Sequence, residues 1–289
     1  MSTDKLREIM KKQAISIKKK YGQNFLLDKN ILQKITQTAS IDKETLVIEI
    51  GPGLGSLTEY LLREAKHVLA YEIDDQLIPI LKDNYKNSAL TLIHDDILKR
   101  QIDEDIEALR LSFSRVIVVA NLPYYITTAI LMKCLEDSKY ISKMIVMMQY
   151  EVAKRITAEA KTKEYNALSV AIQYRSNTRL AFKVPRSVFL PPPNVDSAVV
   201  VLDYYSQPPV SVKSEKHFFQ IIKDSFKQRR KTLLNNLAVA LNTTKDDLRE
   251  RLLSIGIDPE RRAETLSLEE FATLANYFYS LNNDIKQLD

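Results

Sequence analysis

The sequence predicts an α/β protein: a mostly parallel sheet with an antiparallel addition at its edge, then a small all-α domain. Three observations carry this reading. Through the first half of the chain, short apolar runs alternate with segments whose apolar residues stand three and four apart. Two late strand candidates then follow one another with no helical segment between them. From His217 onward only helical periodicity is found.

In chain order, residues 1–20 form a basic arm, with seven Lys/Arg against Asp4 and Glu8. The net charge of the whole chain is +5, so the remainder is neutral. The expected strands are Thr45–Ile50, His67–Glu72, Leu90–His94, Val116–Ala120 and Lys143–Gln149, with helices such as Leu57–Arg63, Gln76–Asn84 and Thr127–Leu135 between them. Strand, helix, strand repeated in this way gives right-handed crossovers and parallel pairing. The strands read as unbroken hydrophobic runs, as expected when helices cover both faces. Leu168, Ala171 and Ile172 have helical spacing, and Thr178–Val184 and Val195–Asp203 are the late strand pair around "FLPPPNVDS". A Pro- and Ser-rich linker, Gln207–Lys216, leads to helices at His217–Leu237, Lys245–Leu253 and Ser267–Ser280. The domains expected are the arm 1–20, an α/β domain 21–206 and a helical domain 207–289.

Composition narrows the class. Hydrophobic residues at 45% and charged ones at 27% are ordinary for a globular protein. No apolar run approaches the ~20 residues of a bilayer span, and the start of the chain lacks a signal-peptide core. One cysteine, Cys134, allows no intrachain disulfide and no cysteine-based zinc site, and the three histidines are scattered. A cytoplasmic monomer without metal or membrane attachment is expected.

Three of only five glycines fall in "EIGPGLGS", as Gly51, Gly53 and Gly55, between a strand and a helix. Such a loop is predicted to aim peptide N–H groups and a helix N-terminus at a ligand. The spacing G-x-G-x-G departs from the dinucleotide pattern, and no Gly-Lys-Ser/Thr follows to make a phosphate loop. Glu72, 21 residues after Gly51, stands where an acid accepts from ribose hydroxyls, and Asp96 in "HDDIL" can accept from an adenine amine. An adenosine ligand without pyrophosphate suits these strand ends, and S-adenosylmethionine is one.

The run "VVANLPYY" breaks from a buried strand into an amide, a proline and two phenols. The exocyclic amine of a base has its lone pair delocalised into the ring. To methylate it, a site must hold both N–H bonds. The Asn121 side-chain oxygen and the Leu122 carbonyl can do so while opposing the developing positive charge. Pro123 restricts the backbone that aims the Leu122 carbonyl, and Tyr124 offers a stacking face. The product ammonium loses its proton to water, so no general base is required.

"YGQNFLLD", "EIGPGLGSLTEYL", "YEID", "HDDIL", "ANLPYYITT", "FLPPPNVDSAVV" and "SFKQRRKTLLNNL" together resemble the ribosomal RNA adenine N6-dimethyltransferases, in order over almost the whole chain after the arm. The resemblance implies a Rossmann-like class I methyltransferase sheet using S-adenosylmethionine. Its implied substrate is a pair of adjacent adenosines near the 3′ end of small-subunit ribosomal RNA, in the immature small subunit. By motif it implies a cofactor pocket of Asn24, Leu26, Gly51, Gly53, Glu72, Asp96, Ile97 and Asn121. It implies a catalytic motif of Asn121, Leu122, Pro123 and Tyr124, with Phe189 as a second stacking face, although by residue type alone Phe189 serves equally well as a core plug. Many members have Asn where this chain has Tyr125. Lys223, Lys227, Arg229 and Arg230 form a basic cluster expected to bind RNA phosphates. The rival readings are a macrolide-resistance methylase of large-subunit RNA, a non-catalytic assembly factor and, third, a nicotinamide oxidoreductase.

Overall fold

The computed structural model describes residues 24–286, so the basic arm lies outside the described residues. Among the described residues nine strands are formed: β1 (Phe25–Leu26), β2 (Thr45–Ile50), β3 (His67–Glu72), β4 (Leu90–His94), β5 (Arg115–Asn121), β6 (Ile141–Gln149), β7 (Ser176–Val184), β8 (Phe189–Leu190) and β9 (Ser197–Tyr204). Seven of them make one sheet, ordered β4-β3-β2-β5-β6-β9-β7, and β1 pairs antiparallel with β8 in a separate ribbon. The pairs from β4 to β6 are parallel, and β9 runs antiparallel to β6 with Gln149 opposite Ser197. The expected antiparallel addition is therefore present, and it brings two strands to that side of the sheet.

Helices α1 (Lys29–Ala39), α2 (Ser56–Glu64), α3 (Ile78–Asn84), α4 (Ile102–Ala108), α5 (Thr127–Asp137) and α6 (Tyr150–Ile156) lie between strands. The N-terminus of α1 is capped by Asp28, whose carboxylate accepts from the N–H groups of Asn30 and Ile31. Its apolar residues Leu32 and Ile35 pack with Leu57 and Leu61 of α2 over Val47, Val68, Ile117 and Ile145 of the sheet. The alternate strand residues Leu46, Ile48, Val118 and Val146 are equally buried, so both faces are covered.

The chain divides into two compact units, one of residues 24–153 with Thr178–Tyr204, the other of Lys154–Asn177 with residues 205–286. The expected boundary at 206 therefore misses one segment. Helix α7 (Ala167–Arg175) belongs to the second unit because Val170 and Tyr174 join a core built on α8 (Glu215–Ser225), α9 (Leu233–Ala240), α10 (Lys245–Ser254) and α11 (Leu268–Lys286). The single helix expected over His217–Leu237 is two. The polar run Lys227–Lys231 has no apolar side chain to bury, and Asn236 holds the intervening turn through Ser225 and Gln228. Thr232 then caps α9.

Candidate active site

The carboxyl ends of β2, β3 and β5 and the turn after β4 line one cavity, where the strand order reverses between β2 and β5. Open α/β sheets bind ligands at this switch point. The structure brings together Asn24, Leu26, Gly51, Gly53, Glu72, Asp96, Ile97, Asn121, Leu122, Pro123 and Tyr124, all on the cavity lining.

The glycine loop works differently from its expected role. Its N–H groups stay inside the protein: Gly51 donates to Tyr71 O at 2.9 Å, Gly53 to Glu72 Oε2 at 3.0 Å and Gly55 to Pro52 O at 2.9 Å. The loop closes on itself and on the end of β3, and these three glycine donors are used within the protein. What glycine supplies is close approach. A Cβ on Gly53 would stand 3.2 Å from the Phe25 ring, and one on Gly55, at φ +82°, would stand 2.6 Å from the Tyr85 ring. The Tyr85 hydroxyl also donates to Gly55 O at 2.6 Å.

Two acids lie beneath this loop. Glu72 is 5% exposed, and its other oxygen accepts from Asp74 N–H at 2.9 Å. The Ile73 backbone also bonds this carboxylate, which has about four lone-pair sites and so keeps capacity for a further donor. Burial raises the Glu72 pKa, opposed by the backbone bonds. Glu49, 1% exposed, receives a hydrogen bond from Thr58 Oγ1 at 2.6 Å, and burial pushes its pKa up to about 8. Asp96 caps the short turn Ile97–Lys99 by accepting from Leu98 N–H at 3.0 Å. Among the described residues no group of three or more His, Cys, Asp or Glu is gathered to hold a metal ion.

Asn121 ends β5. Its Nδ2 donates to the Asn24 carbonyl at 3.2 Å, which turns Oδ1 to the opposite side of the amide. The next residues are tied down in turn. Leu122 N–H donates to Met147 O at 3.0 Å, and the Pro123 carbonyl accepts from Thr127 Oγ1 at 2.9 Å. The Tyr124 hydroxyl lies 2.6 Å from Ser197 Oγ. Burial raises the Tyr124 pKa, with the Ser197 bond opposing. Tyr125, also on the cavity lining, is 56% exposed.

Two expected groups stand apart from this lining. Phe189 is buried in the core with Leu26, its pairing partner across β1 and β8, and is not on the cavity. The basic cluster is on the second unit: Lys223 in the last turn of α8, and Lys227, Arg229 and Arg230 exposed in the turn that follows. Arg229 donates to the carbonyls of Lys163 and Tyr165. Sequence reasoning missed Glu49 and Asp95 on the lining, and Tyr85 and Ser197 behind it. The acids stood inside motifs already singled out. Ser197 also stood inside the quoted "FLPPPNVDSAVV", but the partners of both hydroxyls are distant in sequence.

Residues 14–280 match the family model described as ribosomal RNA adenine dimethylase. A protein of Geobacillus sp. (strain WCH70), named ribosomal RNA small subunit methyltransferase A, is 50% identical over 276 residues, which cover 93% of this chain and 94% of that protein. A protein of the same name from Enterococcus faecalis (strain ATCC 700802 / V583) is also 50% identical, covering 93% of each chain. Among solved structures, a dimethyladenosine transferase from Plasmodium falciparum matches with a TM-score of 0.72 at 25% identity, over 90% of this chain and 98% of that one. The 23S rRNA methyltransferase ErmE has the same fold, with a TM-score of 0.67 at 24% identity, over 88% and 99% of the two chains. With this cavity at the switch point of its sheet, the chain belongs to the ribosomal RNA adenine dimethylase family.

Proposed function

We propose that this chain transfers methyl groups from S-adenosylmethionine to N6 of two adjacent adenosines near the 3′ end of small-subunit ribosomal RNA, giving N6,N6-dimethyladenosine. It acts as a cytoplasmic monomer on the immature small subunit. Family membership supports the reaction class, and relatives sharing half its residues bear a small-subunit name. One observation carries the reading: the Asn121 carboxamide, oriented by Asn24, shares a cavity with Tyr124 and the buried Glu72.

The lining fits the donor. The buried Glu72 carboxyl keeps capacity to accept from a ribose hydroxyl, and the protonated Glu49 adds a second polar group to the lining. Leu26 and Ile97 provide apolar wall, and Asp96 an acceptor for an adenine amine. Bound there, S-adenosylmethionine supplies a methyl group on positively charged sulfur.

The chain's own residues handle the acceptor. Asn121 Oδ1 and the Leu122 carbonyl accept the two N–H bonds of the target amine, which turns its lone pair outward. The same oxygens oppose the positive charge that grows on nitrogen. Tyr124 stacks on the base, worth about 1–3 kcal/mol. Positioning is the main requirement, since water removes the final proton. Lys223, Lys227 and Arg230 hold RNA phosphates without reading sequence, and changing all three to Gln lowers RNA affinity and flattens its dependence on salt.

The test uses labelled S-adenosylmethionine with undermethylated small subunits, naked small-subunit RNA or large subunits. The expected result is dimethyladenosine in small-subunit RNA alone, absent with Asn121→Ala. Label confined to large-subunit RNA, or no label at all, overturns the reading.

A further inference from the structure

We infer that Ser197 is a positioning residue for methyl transfer, acting through Tyr124. This rests on the reading of Tyr124 as the face against which the target base stacks. Ser197 opens β9 and is fully buried, with its hydroxyl 2.6 Å from the Tyr124 hydroxyl. It stands opposite Gln149 in the β6–β9 ladder, one register step from Met148 and Ala198. The same ladder holds the other end of the motif, because Met147 accepts the Leu122 N–H. Two neighbouring strands thus grip the Asn-Leu-Pro-Tyr turn, one at its backbone and one at the tip of its aromatic side chain.

The geometry has a direct consequence. A tyrosine at the end of a turn can rotate about two side-chain bonds, and packing along its length stops only some of that motion. Tethering the phenol oxygen to a buried strand fixes where the long axis of the ring points without occupying either ring face. Buried hydroxyls require partners, and here each hydroxyl is the other's. The bond links two residues 73 positions apart, in "ANLPYY" and "NVDSAVV". Ser197 touches no reacting atom, so its effect is on the orientation of the stacked base.

The test is a double-mutant cycle on the full-length protein, with small-subunit RNA as acceptor. Ser197→Ala and Tyr124→Phe each remove one hydroxyl and keep the ring. Each is expected to lower kcat about tenfold with the KM for S-adenosylmethionine unchanged, the loss one hydrogen bond carries. The double variant is expected to match either single variant, since both remove the same bond. A second readout is RNA carrying 2-aminopurine at the target position: its quenching on binding should relax equally in both variants.

Multiplying losses in the double variant, or wild-type kcat and quenching in Tyr124→Phe, overturn the inference. Tyr124→Phe alone decides the matter if Ser197→Ala fails to fold. Tyr124→Ala separates the two levels. Full activity there sinks the stacking reading itself, whereas a large loss there beside unaffected single-hydroxyl variants sinks only the role of Ser197.

Discussion

The glycine loop after β2 and the Asn-Leu-Pro-Tyr turn after β5 leave adjacent parallel strands and line one cavity, but they are held by different physics. The glycine loop is rigid through its backbone. Its N–H groups are bonded within the protein, and Phe25 and Tyr85 press against positions where a Cβ has no room. The Asn-Leu-Pro-Tyr turn is rigid through tethers to distant groups: Asn24 on the amide, Met147 on the backbone and Ser197 on the phenol. A loop shaped by exclusion leaves its cavity wall bare and close, as a bound ligand needs. A turn held by tethers keeps chosen atoms aimed, as a reacting group needs.

The contrast predicts how each breaks. The largest effect is expected from Asn121→Ala, which on the proposed mechanism removes one of two oxygens opposing charge on the amine. Single-turnover rates should fall about 100- to 1,000-fold. Donor affinity measured by calorimetry should move far less, and thermal stability should hold because the residue is only partly buried. Equal losses of rate and donor affinity would erase the distinction between the two loops.

Gly55→Ala should act the other way, on stability and donor affinity together. The new methyl meets the Tyr85 ring at 2.6 Å in a left-handed backbone, for an expected loss of about 2–3 kcal/mol in denaturant unfolding. Gly51→Ala is the control. Its Cβ meets nothing within 4 Å, leaving only the strain of φ +69°, about 1 kcal/mol. If both substitutions cost the same, close approach of Tyr85 is not what shapes the loop.

A further effect concerns Glu49 and appears only with pH. Its folded pKa is raised to about 8 from 4.5, so across that window the folded protein holds a proton that the unfolded chain has released. Wild-type stability therefore falls as pH rises between those values, by up to about 1.4 kcal/mol per unit. Glu49→Gln carries no such proton, so the variant should gain on wild type from pH 5 to pH 8. Parallel stability curves would show that Glu49 is already ionised at the lower pH.

Much of this was legible in the residues. The strands Thr45–Ile50, His67–Glu72 and Leu90–His94 match their sequence expectations residue for residue; in the first two, burial on both faces demands a nearly unbroken apolar run. Helices α1 and α4 were not foreseen. The allocation of α7 was also misjudged: Val170 and Tyr174 have the spacing of any amphipathic helix, and periodicity does not say which core they enter. The split between α8 and α9 was hidden for a related reason, since Leu233, Leu234 and Leu237 continue the apolar spacing of Phe218, Ile221 and Ile222 across the basic turn.

The site divides along the same line. The amino-acid sequence by itself determined the α/β class, the strand ends that carry Gly51, Glu72 and Asn121, and the amide-proline-tyrosine chemistry. Those properties follow from local pattern: burial sets the apolar runs, and residue type sets which atoms can donate or accept. Only the tertiary structure decided that the glycine donors turn inward, that Phe189 packs into the core, that Asn24 orients Asn121 and that Ser197 holds Tyr124. Each depends on residues brought together by strand order and register, and that distance in space is not written in any one stretch of chain.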